Sequence, residues 1–314
     1  MRVPRLSPTV FRRLTLVNVV LLVGIIVSGA VVRLTNSGLG CADWPNCSAT
    51  KLVDVSTHHA AIEQLNRIFS GAIGIPIGLA LLGAYLRDPR RRDLVIQGWC
   101  LFALFWAEAV LGGISVMVKL AWVSVMGHFL LAIALVGIAL LMHQRAGEPE
   151  GERRPVVSPR VEILARVVYA LTIWVLMLGT LVTAAGPHGG DAEARRLGYP
   201  LADVARIHGA SVDTLVILVI VLVVALVRTH APRRVLNVAS VTLLVMAAQG
   251  ILGYVQYYEE IPALLVGFHV FGAVLVFICV QQLLLDLRVP LAERAAALDA
   301  PHGTAESLLD VTRV

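Results

Sequence analysis

The sequence predicts an all-α integral membrane protein with eight transmembrane helices arranged as two pseudo-symmetric four-helix bundles. Three observations predict it. Of the 314 residues, 58% are hydrophobic and only 15% charged, whereas soluble domains hold about 45–50% and about 25%. Eight apolar runs bounded by charge are each long enough to cross a bilayer, which takes roughly 20 residues. The polar residues admitted to these runs recur at matching places in the two halves of the chain. This composition excludes a disordered chain and argues against a soluble enzyme.

The first run, residues 14–32, follows Arg12 and Arg13 and ends in the small residues Ser28-Gly29-Ala30. It has the outline of a secretory signal, but it is long for a signal core and seven more runs follow, so it is expected to be retained as a span. The others cover residues 66–86, 94–118, 122–142, 161–185, 207–227, 235–257 and 263–287. All are continuous rather than alternating, so helices and not barrel strands are expected to satisfy their backbone groups in lipid.

The formal charge of +5, from 26 basic and 21 acidic residues, reports orientation and not a nucleic-acid partner. Basic residues crowd the N-terminus and every second connection: Arg12 and Arg13, Arg90 to Arg92, Arg153 and Arg154, Arg233 and Arg234, then Arg288. The positive-inside rule places both termini in the cytoplasm and the protein in the cell membrane as a multi-pass chain. The outer connections then alternate long, short, long, short, which suggests a duplication of four helices.

Internal similarity supports the duplication. Glu108-Ala-Val-Leu-Gly112 precedes His128, and Gln249-Gly-Ile-Leu-Gly253 precedes His269 at the same spacing; Gly29-Ala-Val-Val likewise matches Gly179-Thr-Leu-Val. The expected halves are residues 11–145 and 160–288, followed by a cytoplasmic tail, 289–314.

Three histidines lie within spans: His128, His208 and His269. Each falls early in an inward-running span, and at 1.5 Å per residue His128 and His269 lie about 10 Å below the outer surface. A single intramembrane histidine reads as a helix-to-helix hydrogen bond. Imidazoles on facing helices also offer nitrogen ligands to a haem iron, and the repetition favours that reading, with His208 and His269 sharing one haem. The first half breaks the symmetry, because Asn66, beside Arg67, stands where His208 stands in the second. The partner of His128 is then absent or drawn from His58 and His59, which leaves an open coordination position. Glu63 belongs to this half only, since its counterpart is Ala205. With a slightly earlier start of the second span, it shares a helical face with His59 and Asn66, where a carboxylate can handle protons or simply favour the helix dipole. Arg33, Arg67 and Arg206 stand at outer span ends, where guanidinium groups can pair with propionates or simply sit at the interface.

Cys41 and Cys47 share a polar loop on the outer, oxidising face. Three readings stay open: a structural disulfide, a redox-active pair and unpaired thiols. Cys100 and Cys279 read as packing residues.

The run Gly29-Ala-Val-Val-Arg-Leu-Thr-Asn-Ser-Gly-Leu-Gly-Cys-Ala-Asp-Trp-Pro-Asn-Cys47, followed by His59-Ala-Ala-Ile-Glu-Gln-Leu-Asn-Arg67, resembles the haem A synthase family. So does Gly186-Pro-His-Gly-Gly-Asp191 ahead of His208. The resemblance implies a haem b ligated by His208 and His269, a substrate haem O ligated by His128, Glu63 as catalytic acid, and a paired Cys41 and Cys47. His59 and Arg67 enter as further haem-contacting candidates. It implies oxidation of the C8 methyl of haem O to a formyl group, giving haem A for cytochrome oxidase. Haem O synthase and the oxidase assembly machinery are the implied partners, along with an electron donor that the sequence does not identify; a homo-oligomer is compatible with it. Many members carry histidine where this chain has Asn66, and the asparagine form resembles members from high-GC Gram-positive bacteria. Two rivals are a non-catalytic di-haem b electron-transfer protein, which predicts two bis-histidine haems, and an inverted-repeat transporter, which predicts broken helices.

Overall fold

The structure, a computed structural model, describes residues 5–291. Among these are eight helices long and apolar enough to cross a membrane. They are α1 (Pro8–Leu34), α2 (His58–Leu86), α3 (Arg92–Met117), α4 (Trp122–Ala146), α5 (Pro159–Ala185), α6 (Leu201–Arg228), α7 (Arg233–Tyr258) and α8 (Ala263–Asp286). The chain is a multi-pass, all-α membrane protein. The expected tail lies, from residue 292 onward, outside the described residues.

Every predicted span falls within one helix, give or take a residue at its ends, but three helices, α1, α2 and α6, begin well before their apolar runs. α2 starts at His58 rather than 66 because Thr57 caps it, its hydroxyl accepting from the Ala60 amide, so its first two turns are helical while still polar. α6 likewise starts at Leu201, where Pro200 ends the preceding loop. Large apolar side chains such as Ile75, Trp106, Leu244, Ile251 and Leu264 are exposed on the outside of the bundle. A helix that is apolar on its outward face as well as its inward one is built for lipid. Cys100 belongs to that exposed surface, and Cys279 is half-buried, so only the second matches the packing role expected of both.

α1 packs on α2 and α4, and α3 on both α2 and α4; α5 pairs with α6, α6 with α7 and α7 with α8, and α5 also touches α8. α1 and α4 meet α5 and α8 along the middle. There Val19, Leu22, Ile26, Val136, Leu176, Val274 and Phe277 form one buried cluster. At the end of the bundle where α4 and α8 finish, buried Asp286 accepts from Gln144 (3.1 Å), Gln282 (2.9 Å) and Arg234 (2.8 Å), tying α4, α7 and α8 together. Two short strands, β1 (Arg153–Pro155) and β2 (Arg288–Pro290), pair antiparallel beside it.

At the opposite end the long loops after α1 and α5 also interlock. The Gly38 amide donates to the Gly190 carbonyl at 2.9 Å, Lys119 pairs with Glu193, and a ring nitrogen of His188 lies 2.8 Å from the Ile261 carbonyl oxygen. The loop after α1 is thereby stacked on the loop after α5.

Candidate functional site

Each intramembrane histidine lies with its Cε1 edge on a glycine of the preceding helix. A methyl group added at Gly112 in α3 would stand 3.0 Å from His128 Cε1, one at Gly253 in α7 3.1 Å from His269 Cε1, and one at Gly179 in α5 3.4 Å from His208 Cε1. A side chain at Gly112 or Gly253 would press on its imidazole, and one at Gly179 would stand in ordinary contact with it, so the glycines let the ring edges lie close against the helix. The Nδ1 atoms of His128 and His208 are enclosed. The His128 side chain is nevertheless 43% exposed overall, so the ring is closed on its helix side and open on the other. His208 stands on α6 and His269 on α8.

The fourth place is built differently. Gly29 in α1 matches Gly179, yet nothing comes within 4 Å of a methyl group placed on it. Asn66, which stands where His208 stands in the other half, donates instead to Ser28 Oγ of α1. This corner of the first half holds open space and a neutral amide where the second holds an imidazole.

Cys41 and Cys47 form a disulfide, with Cys41 fully buried and Cys47 at 3% exposure. The loop that they close is clamped onto α2. Glu63 Oε2 accepts from the Cys41 amide at 2.7 Å, and Glu63 Oε1 accepts from Arg67 Nη2 at 2.7 Å and Nε at 3.0 Å. Arg67 Nη1 in turn donates to the Asp43 and Asn46 carbonyls. The i, i+4 spacing of Glu63 and Arg67 on one helical face makes this ion pair; its partners make it a loop anchor. Further along the loop, hydrogen bonds from Ser56 and then Lys51 hold the Asp54 carboxyl down at about 2.

Trp44, at the tip of the clamped loop, lies over Gly113, where an added methyl would approach its ring to 2.5 Å. Gly112 and Gly113 thus seat His128 and Trp44 side by side on α3, joining the disulfide loop to the histidine site.

His59 stands about 10 Å along the helix axis from Asn66, and its Nδ1 lies 2.9 Å from Ser37 Oγ. It lines a cleft of about 520 Å³ between these loops together with Thr57, Gly40, Pro187, Asp191 and Arg196. Arg196 spends its guanidinium on the Gly186 and Pro187 carbonyls. Arg33 donates to Thr183 across the halves, and Arg206 pairs with Asp203 at the surface.

In the sequence, Glu108, Gln249 and the glycines stand out only as markers of the repeat. In the structure, Glu108 Oε1 lies 3.2 Å from His128 Nδ1, and Gln249 Nε2 lies 3.0 Å from His269 Nδ1. The shared spacing to a histidine is the signal that these residues touch. Trp44 against Gly113 has no such signal.

A family profile described as Cytochrome oxidase assembly protein, COX15-CtaA, matches residues 12–60 and 52–187. Part of the chain is 30% identical over 115 residues to the heme A synthase of Geobacillus kaustophilus, covering 36% of each protein. Similarity to the heme A synthase of Shewanella oneidensis is 29% over 150 residues, 42% of this chain and 44% of that one. For the heme A synthase of Lysinibacillus sphaericus it is 29% over 118 residues, 37% of this chain and 36% of that one. The chain therefore spans less than half the length of each of these three relatives. The profile match includes Cys41, Cys47, Glu63, Asn66 and His128, and stops before His208.

Proposed function

Because the chain belongs to the COX15-CtaA family of cytochrome oxidase assembly proteins, we propose that it is a haem A synthase, oxidising the C8 methyl of haem O to the formyl group of haem A. The observation that carries this reading is the glycine-seated imidazole, built at Gly112, Gly179 and Gly253 and withheld beside Gly29. Porphyrin already gives iron four nitrogen ligands, so one or two imidazoles complete its coordination. Each seat suits that role, because it orients the ring against a helix and leaves the opposite side free. A bare metal ion would need more ligands, and among the described residues no group of three His, Cys, Asp or Glu is placed to hold one.

In this reading His208 and His269 hold haem b from α6 and α8. Haem b, when bound, supplies one-electron storage. His128 would hold the iron of haem O, and Asn66 with the space at Gly29 supplies no second imidazole in that half's equivalent corner. Each of two successive hydroxylations would insert one oxygen atom from dioxygen into a C–H bond of the methyl group, with two electrons from an external donor and two protons reducing the other oxygen atom to water; loss of water from the resulting geminal diol would leave the aldehyde. Glu63 is assigned the acid–base role: it lies three residues before Asn66, about 4.5 Å along the axis, and three N–H donors orient its carboxylate. Arg67 holds that carboxylate in place, and His59 remains the candidate at the rim. Enclosure of both sulfurs makes the disulfide a brace for this corner, since exchange with a thiol needs access.

The halves, residues 11–145 and 160–288, then act as a substrate bundle and an electron-storing bundle, with both termini cytoplasmic and the histidines in the outer half of the membrane. Such a placement suits a farnesylated substrate. Haem O synthase and the oxidase assembly machinery are the expected neighbours in the membrane. Replacing both His208 and His269 by alanine in purified protein is expected to abolish the b-type absorption spectrum. A full haem b spectrum in the double variant would remove the second-half assignment.

A further inference from the structure

The halves differ at one more pair of equivalent positions. Glu108 and Gln249 each lie one turn before the glycine that seats a histidine, on the same helical face. Gln249 presents an amide: its Nε2 lies 3.0 Å from His269 Nδ1 and donates to the His269 carbonyl at 2.7 Å. Glu108 presents a carboxyl group instead, with Oε1 3.2 Å from His128 Nδ1. Its side chain is 16% exposed, and its Oε2 is enclosed without a hydrogen-bond partner. An acidic group placed deep in a span is costly and characteristically serves function. Here the histidine is the polar group that it reaches.

We propose that Glu108 is a positioning residue for His128, accepting the Nδ1–H of the imidazole and making it a stronger electron donor than His269. The proposal rests on the reading above, in which His128 would bind the iron of haem O; with Glu108 beside Nδ1, Nε2 is the nitrogen left for the iron. An imidazole ligated through Nε2 carries its proton on Nδ1, and the acceptor of that proton fixes the ring orientation and raises ligand basicity. A carboxylate accepts through a charge-assisted bond, which a neutral amide cannot match. A strongly donating ligand suits oxidative chemistry at an open iron, and an ordinary one suits electron storage. The Glu-for-Gln difference thus falls on the same division as Asn66 against His208.

The test uses the full-length protein, purified with its pigments and supplied with haem O. Redox titration of a His128→Ala variant identifies the second-half signal. Glu108→Gln is expected to raise the midpoint potential of the first-half haem and leave the second unchanged. Gln249→Glu is expected to lower the second-half potential. An unchanged first-half potential in Glu108→Gln overturns the proposal. Where that variant loses its first-half haem, an unchanged second-half potential in Gln249→Glu overturns it alone. Failure of the underlying reading looks different: the unmodified protein would then take up no haem that depends on His128.

Discussion

At the scale of single residues, Glu63 has an observed anchoring role and a proposed catalytic one, which chemistry can separate. Its carboxylate anchors the disulfide loop through the Cys41 amide and Arg67, and in the proposed reaction it handles protons. Glutamine keeps an acceptor for the Cys41 amide but loses the charge and the proton-transfer function; alanine loses all three. General acid–base groups contribute about 10²- to 10⁴-fold. Haem A yield, measured in cells that depend on this protein, is therefore expected to fall at least about 100-fold in both Glu63→Gln and Glu63→Ala. Near-normal yield in Glu63→Gln with loss in Glu63→Ala would leave Glu63 only the anchoring role.

At the scale of elements, the site depends on helices meeting at glycines. Gly112→Ala pushes a methyl group against His128, and overpacking of this kind costs about 1–3 kcal/mol. Gly29→Ala meets open space and is expected to be silent. Pigment analysis of the two variants should show loss of haem O binding in the first and none in the second; equal binding in both would detach the glycine seat from haem. All eight helices are legible in the sequence, because continuous apolar runs in lipid permit little else. The polar starts of α2 and α6 are not legible as helix, since caps such as Thr57 act on backbone groups that hydropathy does not register. His128, His208, His269 and Asn66 stand out as polar residues at repeated places. The link from Trp44 through Gly113 to the histidine site joins residues far apart in sequence and only packing reveals it. The pairing of Glu63 with Arg67 follows from helical spacing, whereas its hold on the Cys41 amide depends on how the loop folds back.

At the scale of the whole molecule, two bundles of similar plan are locked together along α1, α4, α5 and α8, by Asp286 and its partners at one end and by the stacked loops at the other. Locking matters to the proposed reaction, because haem b in one half serves chemistry in the other and their separation must stay fixed. Unequal chemistry on a repeated frame is the central claim: two imidazoles in the second half, one imidazole and an open corner in the first. Extraction of the pigments from the purified protein, followed by chromatographic identification, tests it most directly. The expected result is haem b together with haem O or haem A. Haem b alone, or no haem at all, would contradict it.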